Sequence, residues 1–202
     1  MNQNHNKVKH DIKIITLGDS RVGKTSLIIK YIDNKFTGNF VTTMGFDIKN
    51  KQLTLKDGTE AKLMLFDTAG QERFRSLAEN YIKKANGILL VYDISERVSF
   101  QNTENWMESI KQNSNGVPMI LIGNKSDLSD DERNVSFEEG NQKAQEFGCP
   151  FYETSCKNGD NVNKCFIELA ELVYEKIGKK SSQNDRQTLR KSSTKRKKKC
   201  CA

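Results

Sequence analysis

The octapeptide Gly18-Asp19-Ser20-Arg21-Val22-Gly23-Lys24-Thr25 constrains this chain more than any other segment. It fits the pattern G-x-x-x-x-G-K-[ST] and joins two readable elements. The apolar run from Asp11 to Leu17 predicts a strand, and Lys24 to Ile32 predicts a helix. A loop in that setting can wrap phosphate oxygens with backbone N–H groups, because its glycines permit close approach. The helix that follows aims its positive end at the same oxygens. Lys24 is expected to neutralise β- and γ-phosphates, and Thr25 to place its hydroxyl on Mg²⁺.

Strand and helix signals alternate downstream. Ile48 to Leu55 and Ala61 to Phe66 flank Asp57-Gly58, a pair that predicts a two-residue hairpin. Gly87 to Tyr92 and Met119 to Ile122 are short continuous apolar runs, as strands buried on both faces require. Phe151 to Thr154 is a shorter strand candidate. Helices are expected over Ser99 to Gln112, Ser136 to Phe147 and Asn161 to Ile177, with Ser136-x-x-Glu139 as a capping box. The alternation predicts an α/β fold: a mostly parallel six-stranded sheet, one antiparallel edge strand, and helices on both faces. In such sheets ligands bind beyond the carboxyl ends of the strands.

Charge divides the chain. Residues 179–202 hold ten of the 33 basic residues and one of the 26 acidic ones, so this tail carries +9 and the rest about −2. A nearly neutral body opposes nucleic acid as the partner of the folded part. The expected organisation is a flexible arm over 1–8, one nucleotide-binding domain over 9–178, and a flexible basic tail over 179–202. No apolar run approaches the roughly 20 residues that span a bilayer. Met1 to His10 lacks the apolar stretch of a secretory signal, and position 2 is Asn rather than the Gly of a myristoylation site. Cys149, Cys156 and Cys165 match no zinc or redox spacing, and free thiols in a reducing compartment are expected.

Two further segments define chemistry. Asn124-Lys125-Ser126-Asp127 follows an apolar strand candidate. The Asp127 carboxylate can accept hydrogen bonds from N1–H and the exocyclic amine of guanine, a donor pair that adenine lacks. Leaving such a group unpaired costs about 1–3 kcal/mol, enough to discriminate. Asp67-Thr68-Ala69-Gly70-Gln71-Glu72 follows another strand candidate. Asp67 is placed to hold Mg²⁺ directly or through its second shell. Gly70 offers an unobstructed backbone N–H to a γ-phosphate, and Gln71 can orient an attacking water. Two other classes stay in view: a module that holds GTP without useful hydrolysis, and an ATP-using enzyme with the same loop. Gln71 argues against the first and Asp127 against the second.

With these motifs in place the sequence resembles a small GTPase of the Ras superfamily with the P-loop NTPase fold, and more narrowly of the Rab family. The resemblance covers residues 8 to 178 and the terminal cysteines. It includes Glu153-Thr154-Ser155-Cys156-Lys157 as a second base loop and Gln71-Glu72-Arg73-Phe74-Arg75 as a second switch. It implies nucleotide contacts from Gly18, Asp19, Ser20, Arg21, Val22, Gly23, Lys24, Thr25, Ser26, Phe36, Asp67, Gly70, Asn124, Lys125, Asp127, Ser155, Cys156 and Lys157. The Phe36 ring would meet guanine edge-on. The first switch and effector region would span Phe40, Val41, Thr42, Thr43, Met44, Gly45, Phe46, Asp47 and Ile48. Mg²⁺ would be held by Thr25, Asp67 and, with a γ-phosphate present, Thr43. Lys24, Thr43, Gly70 and Gln71 would carry hydrolysis of GTP to GDP at a low intrinsic rate.

Several positions depart from the Rab pattern. Arg21 replaces a usual Gly; it is strained if that position needs φ > 0, and otherwise points to solvent. Cys156 replaces a usual Ala, with little effect expected because the backbone N–H binds there. Ile48 and Phe66 stand where Phe and Trp are usual. With Tyr81 those positions form a surface that effectors read, so either the packing is equivalent or effector preference shifts.

The terminus reads Lys195-Arg196-Lys197-Lys198-Lys199-Cys200-Cys201-Ala202. The charge run alone suits a solvated tail or a nuclear address. The paired Cys200 and Cys201 resemble the Rab ending that takes two geranylgeranyl groups, and two chains anchor stably where one does not. The resemblance further implies vesicle traffic and a monomer on the cytoplasmic face of an intracellular membrane or the plasma membrane, cycling with cytosol. It also implies an exchange factor, a GTPase-activating protein, a GDP-dissociation inhibitor and effectors as partners.

Overall fold

A computed structural model describes residues 10–38, 46–68 and 75–178. Six strands form one sheet: β1 (His10–Leu17), β2 (Phe46–Thr54), β3 (Glu60–Thr68), β4 (Gly87–Asp93), β5 (Met119–Asn124) and β6 (Phe151–Thr154). Their order is β2-β3-β1-β4-β5-β6. β1 runs parallel to both β3 and β4, and β4, β5 and β6 continue in parallel. Only β2, at the edge, is antiparallel to its neighbour β3. The expected mostly parallel sheet with one antiparallel edge strand is what forms.

The helices are α1 (Lys24–Asp33), α2 (Arg75–Ile82), α3 (Arg97–Gln101), α4 (Thr103–Asn113) and α5 (Phe137–Phe147), with α6 over 162–178. Successive strand residues face opposite sides of the sheet, and this period of two divides the core. On one face Ile12, Ile14, Leu89, Val91, Ile120 and Ile122 meet Leu27 and Ile28 of α1 and Phe166 and Leu169 of α6. On the other, Ile15, Leu17, Ile88, Leu90 and Leu121 meet Ile82, Phe100, Trp106 and Ala144 from α2 to α5. All of β4 and β5 is buried, which explains their unbroken apolar runs.

Two local expectations change. The β2–β3 hairpin is not a two-residue turn about Asp57-Gly58. Gly58 N–H instead closes a turn onto the Leu55 carbonyl at 2.9 Å, and Gly58 itself takes φ 82°. The ladder then resumes from Leu55 N–H to the Thr59 carbonyl at 2.9 Å. The single helix expected over Ser99 to Gln112 is two helices interrupted at Asn102. There the Thr103 hydroxyl donates to the Phe100 carbonyl at 2.6 Å, taking an acceptor that a continuous helix would use. Helix α2 had no sequence expectation at all. The Ser136 capping box forms as read: the Glu139 carboxylate accepts the Ser136 N–H, and Ser136 Oγ accepts the Glu139 N–H.

Candidate functional site

The phosphate loop leaves the carboxyl end of β1 and enters α1. Gly18 and Gly23 have φ 134° and 97°. A Cβ on Gly18 would lie 2.0 Å from the Val91 carbonyl oxygen, and one on Gly23 would lie 2.2 Å from Asn124 Nδ2. Both positions therefore require glycine for conformation and for space. Gly23 is also the N-cap of α1, which has no side-chain cap and no acidic residue in its first turn. The opening N–H groups and the positive end of the helix dipole thus face the loop.

Arg21 takes the strained alternative, and exposure to solvent does not spare it the left-handed backbone. It is exposed, and its φ is 68°. The left-handed conformation costs an L-residue roughly 1–2 kcal/mol, so this loop carries strain that the usual Gly would lack.

Lys24 is 4% exposed, and its Nζ donates to the carbonyls of Gly18 (2.9 Å) and Asp19 (2.6 Å). Burial lowers its pKa to about 8, against the pull of the Asp67 and Asp19 carboxylates. Asp67, at the end of β3, is 2% exposed. Burial raises its pKa, opposed first by a hydrogen bond with the Thr25 side chain and then by the Lys24 charge. Asp67 Oδ1 is buried without a hydrogen-bond partner. A buried carboxylate oxygen without a partner, beside a threonine hydroxyl, is an oxygen donor set that suits a hard divalent cation. No cluster of three or more His, Cys, Asp or Glu exists among the described residues. Thr25 and Asp67 would therefore share Mg²⁺ with phosphate oxygens and water, as that ion ordinarily requires.

The base-side residues gather at the ends of β5 and β6, where Asn124 pairs in register with Thr154. Asn124 is buried and acts as a strut. Its Nδ2 donates to the Val22 carbonyl at 2.8 Å. Its Oδ1 accepts from Thr154 Oγ1 at 3.0 Å and from Cys156 Sγ at 3.5 Å. Cys156 is thus more than a substitute for Ala, since its thiol adds a weak donor to this strut. Burial raises that thiol's pKa to about 12. Lys125 takes φ 74°, and its ammonium lies 2.5 Å from Asp93 Oδ2. Ser155, fully buried, donates its hydroxyl to Asp127 Oδ1 at 2.6 Å and accepts the Asn158 N–H at 3.0 Å. Lys157 Nζ stands 3.8 Å from Asp127 Oδ2. Phe36 is 46% exposed, unusually open for a ring of that size.

The Asp19 side chain turns away from the loop's interior. Its Oδ2 accepts from Asn102 Nδ2 at 2.7 Å and its Oδ1 from Trp106 Nε1 at 2.9 Å. Thr154 enters here from the second base loop, while Asn102, Trp106 and Asp93 also support the site and none of those three is marked by the sequence. They act across long stretches of chain and belong to no contiguous motif. Ile48 lies opposite Phe66 in the β2–β3 ladder and is exposed, while the Phe66 and Tyr81 rings are 5.9 Å apart. Phe40 to Gly45, Gly70, Gln71, Cys200 and Cys201 lie outside the described residues, and Phe46 is described in its backbone only.

Residues 13–175 match the model of the Ras family. The chain is 47% identical over 167 residues to the GTP-binding protein yptV2 of Volvox carteri, covering 82% of this chain and 76% of that protein. It is 43% identical over 167 residues to the Ras-related protein SEC4 of Saccharomyces cerevisiae, with the same coverage of each. It is 40% identical over 202 residues to the Ras-related protein RABE1e of Arabidopsis thaliana, covering 95% of this chain and 92% of that protein. With the phosphate loop, the Asn124 strut and the Asp127 carboxylate at one rim of a Ras-like sheet, the chain belongs to the Ras family as a small GTPase of the Rab group.

Proposed function

We propose that this chain is a guanine-nucleotide switch that works from a membrane surface in vesicle transport. The observation that supports the nucleotide assignment best is Asp127. Its carboxylate is held by the Ser155 hydroxyl beyond β5 and β6, on the same edge of the parallel sheet from which β1 leads into the phosphate loop. An oriented carboxylate there accepts both donors of guanine and repels the adenine edge.

In this reading Gly18 to Ser26 surround the phosphates with backbone donors, and Lys24 exchanges its two carbonyl partners for β- and γ-oxygens. Thr25 and Asp67 hold Mg²⁺, joined by Thr43 when a γ-phosphate is present. The ion supplies charge neutralisation on the transferring phosphoryl group. Gln71 orients the attacking water, and the N–H groups of Thr43 and Gly70 sense the γ-phosphate. Unaided hydrolysis is slow, on the order of 10⁻⁴ to 10⁻³ s⁻¹ by analogy with the Ras template. A GTPase-activating protein supplies the missing charge, and an exchange factor reopens the site. Effectors read the GTP form through residues 40–48 with Phe66 and Tyr81. Cys200 and Cys201 carry geranylgeranyl groups, and the basic tail adds about 1 kcal/mol per Lys or Arg at an anionic leaflet. A GDP-dissociation inhibitor returns the chain to the cytosol.

Nucleotide competition tests the core of this reading. GDP and GTP should displace bound GDP, while ATP at the same concentration should not. Asp127→Asn should shift preference toward xanthine nucleotides. Equal displacement by ATP would overturn the guanine assignment.

A further inference from the structure

The phosphate loop is gripped from outside by α4. Both oxygens of the Asp19 carboxylate are engaged, Oδ2 by Asn102 Nδ2 at 2.7 Å and Oδ1 by Trp106 Nε1 at 2.9 Å. Asn102 is the N-cap of α4 and Trp106 lies one turn further on, so both donors project from one face of that helix. Trp106 is 5% exposed, which fixes its ring and the direction of its single N–H. The positive end of α4 favours a carboxylate in this place. The opposite side of Asp19 is held differently: its backbone carbonyl accepts from Lys24 Nζ at 2.6 Å. Lys24 must leave that carbonyl to reach phosphate oxygens, and the hold of α4 then becomes the one that persists.

From this we infer that Asn102 and Trp106 are positioning residues for nucleotide binding, which clamp the Asp19 carboxylate outward so that the loop presents backbone donors and no negative charge to the phosphates. The inference rests on the phosphate-loop reading above. A carboxylate released into the loop would face the most highly charged part of a nucleotide, and like charges at short range repel strongly where water is sparse. The clamp therefore does more than satisfy a buried indole N–H: it fixes which way the one acidic side chain of the loop points.

The test is epistasis in the full-length chain, read as the release rate of radiolabelled GDP from the Mg²⁺ complex. Trp106→Phe and Asn102→Ala should each release GDP about tenfold faster, because each leaves the carboxylate short of a donor. Asp19→Ala alone sets the reference rate for a loop that has lost the carboxylate but kept its backbone donors. Combined with Trp106→Phe or Asn102→Ala, it should restore slow release to within about twofold of Asp19→Ala alone, because no carboxylate remains to swing inward. A purely structural role predicts the opposite, since a damaged α4 is not repaired by removing its partner. Wild-type release rates in both single variants, or fast release that Asp19→Ala does not rescue, would overturn the clamp. If one variant fails to fold, the other carries the same test. Failure of the wild-type chain to bind GDP at all would instead overturn the nucleotide reading itself.

Discussion

Asn124 donates its side-chain amide to the backbone carbonyl of Val22 at 2.8 Å, across 102 residues of chain. That bond ties the loop that would hold phosphates to the strand end that would hold the base. The same side chain accepts from Thr154 and Cys156, so three motifs far apart in sequence meet on one buried amide.

Asn124→Ala should therefore cost both stability and nucleotide retention. It strips Val22 of a donor and leaves the Thr154 hydroxyl buried without its acceptor. Unfolding in urea should show a loss of about 1–3 kcal/mol. GDP release should accelerate at least about tenfold, a larger effect than a remote substitution of equal stability cost would give. An unchanged release rate would show that the loop keeps its shape without this strut.

Lys24 gives a pH signature. Burial lowers its folded pKa from 10.5 to about 8. Between those values the unfolded chain binds more protons than the folded one, so this group makes stability rise with pH across the window. Below about pH 8 the burial penalty is fully present. The buried thiols of Cys149, Cys156 and Cys165 are shifted upward to about 11, 12 and 12, and they work in the opposite sense above pH 9. The difference between wild type and Lys24→Met, both stripped of nucleotide, removes the thiol contribution. Lys24→Met should be the more stable at pH 7.5 by on the order of 3 kcal/mol, with the gap closing toward pH 10. A gap that does not change with pH would mean that Lys24 is solvated in the free protein.

Gln71→Leu tests the hydrolytic step apart from binding. Single-turnover hydrolysis of bound GTP should fall by about tenfold or more, with GDP affinity unchanged. Equal rates in variant and wild type would remove Gln71 from the role of orienting water.

The membrane proposal depends on two thiols. A tagged chain should concentrate on membranes, and its Cys200→Ser, Cys201→Ser double variant should become diffuse, because the basic tail alone binds weakly at physiological salt. Undiminished membrane association of the double variant would point to an anchor other than lipid.

Much of the fold was legible because its signals are local. The buried runs of β4 and β5, the Ser136 capping box and the strand-loop-helix context of Gly18 to Thr25 each reside in a few adjacent residues. Legibility failed where a single side chain, a short element or the closing of a turn decided the outcome. Thr103 takes a carbonyl that a continuous helix would have used, and α2, with 8 residues, is too short for its apolar spacing to announce it. The β2–β3 turn pattern depended on where the ladder closed rather than on the Asp-Gly pair alone.

What the sequence determined by itself is the inventory: phosphate-loop glycines, a guanine-type Asp127, a lysine and a threonine in fixed order, and a tail that holds the positive excess. Covalent spacing and backbone stereochemistry suffice for that, since a glycine-dependent loop between a strand and a helix has few other conformations. Tertiary structure alone decided how the inventory is aimed. It turned Asp19 outward onto Asn102 and Trp106, made Asn124 a strut, and buried Lys24 and Asp67 together. Those outcomes depend on hydrogen bonds and desolvation between residues dozens of positions apart, which only the folded sheet brings within reach.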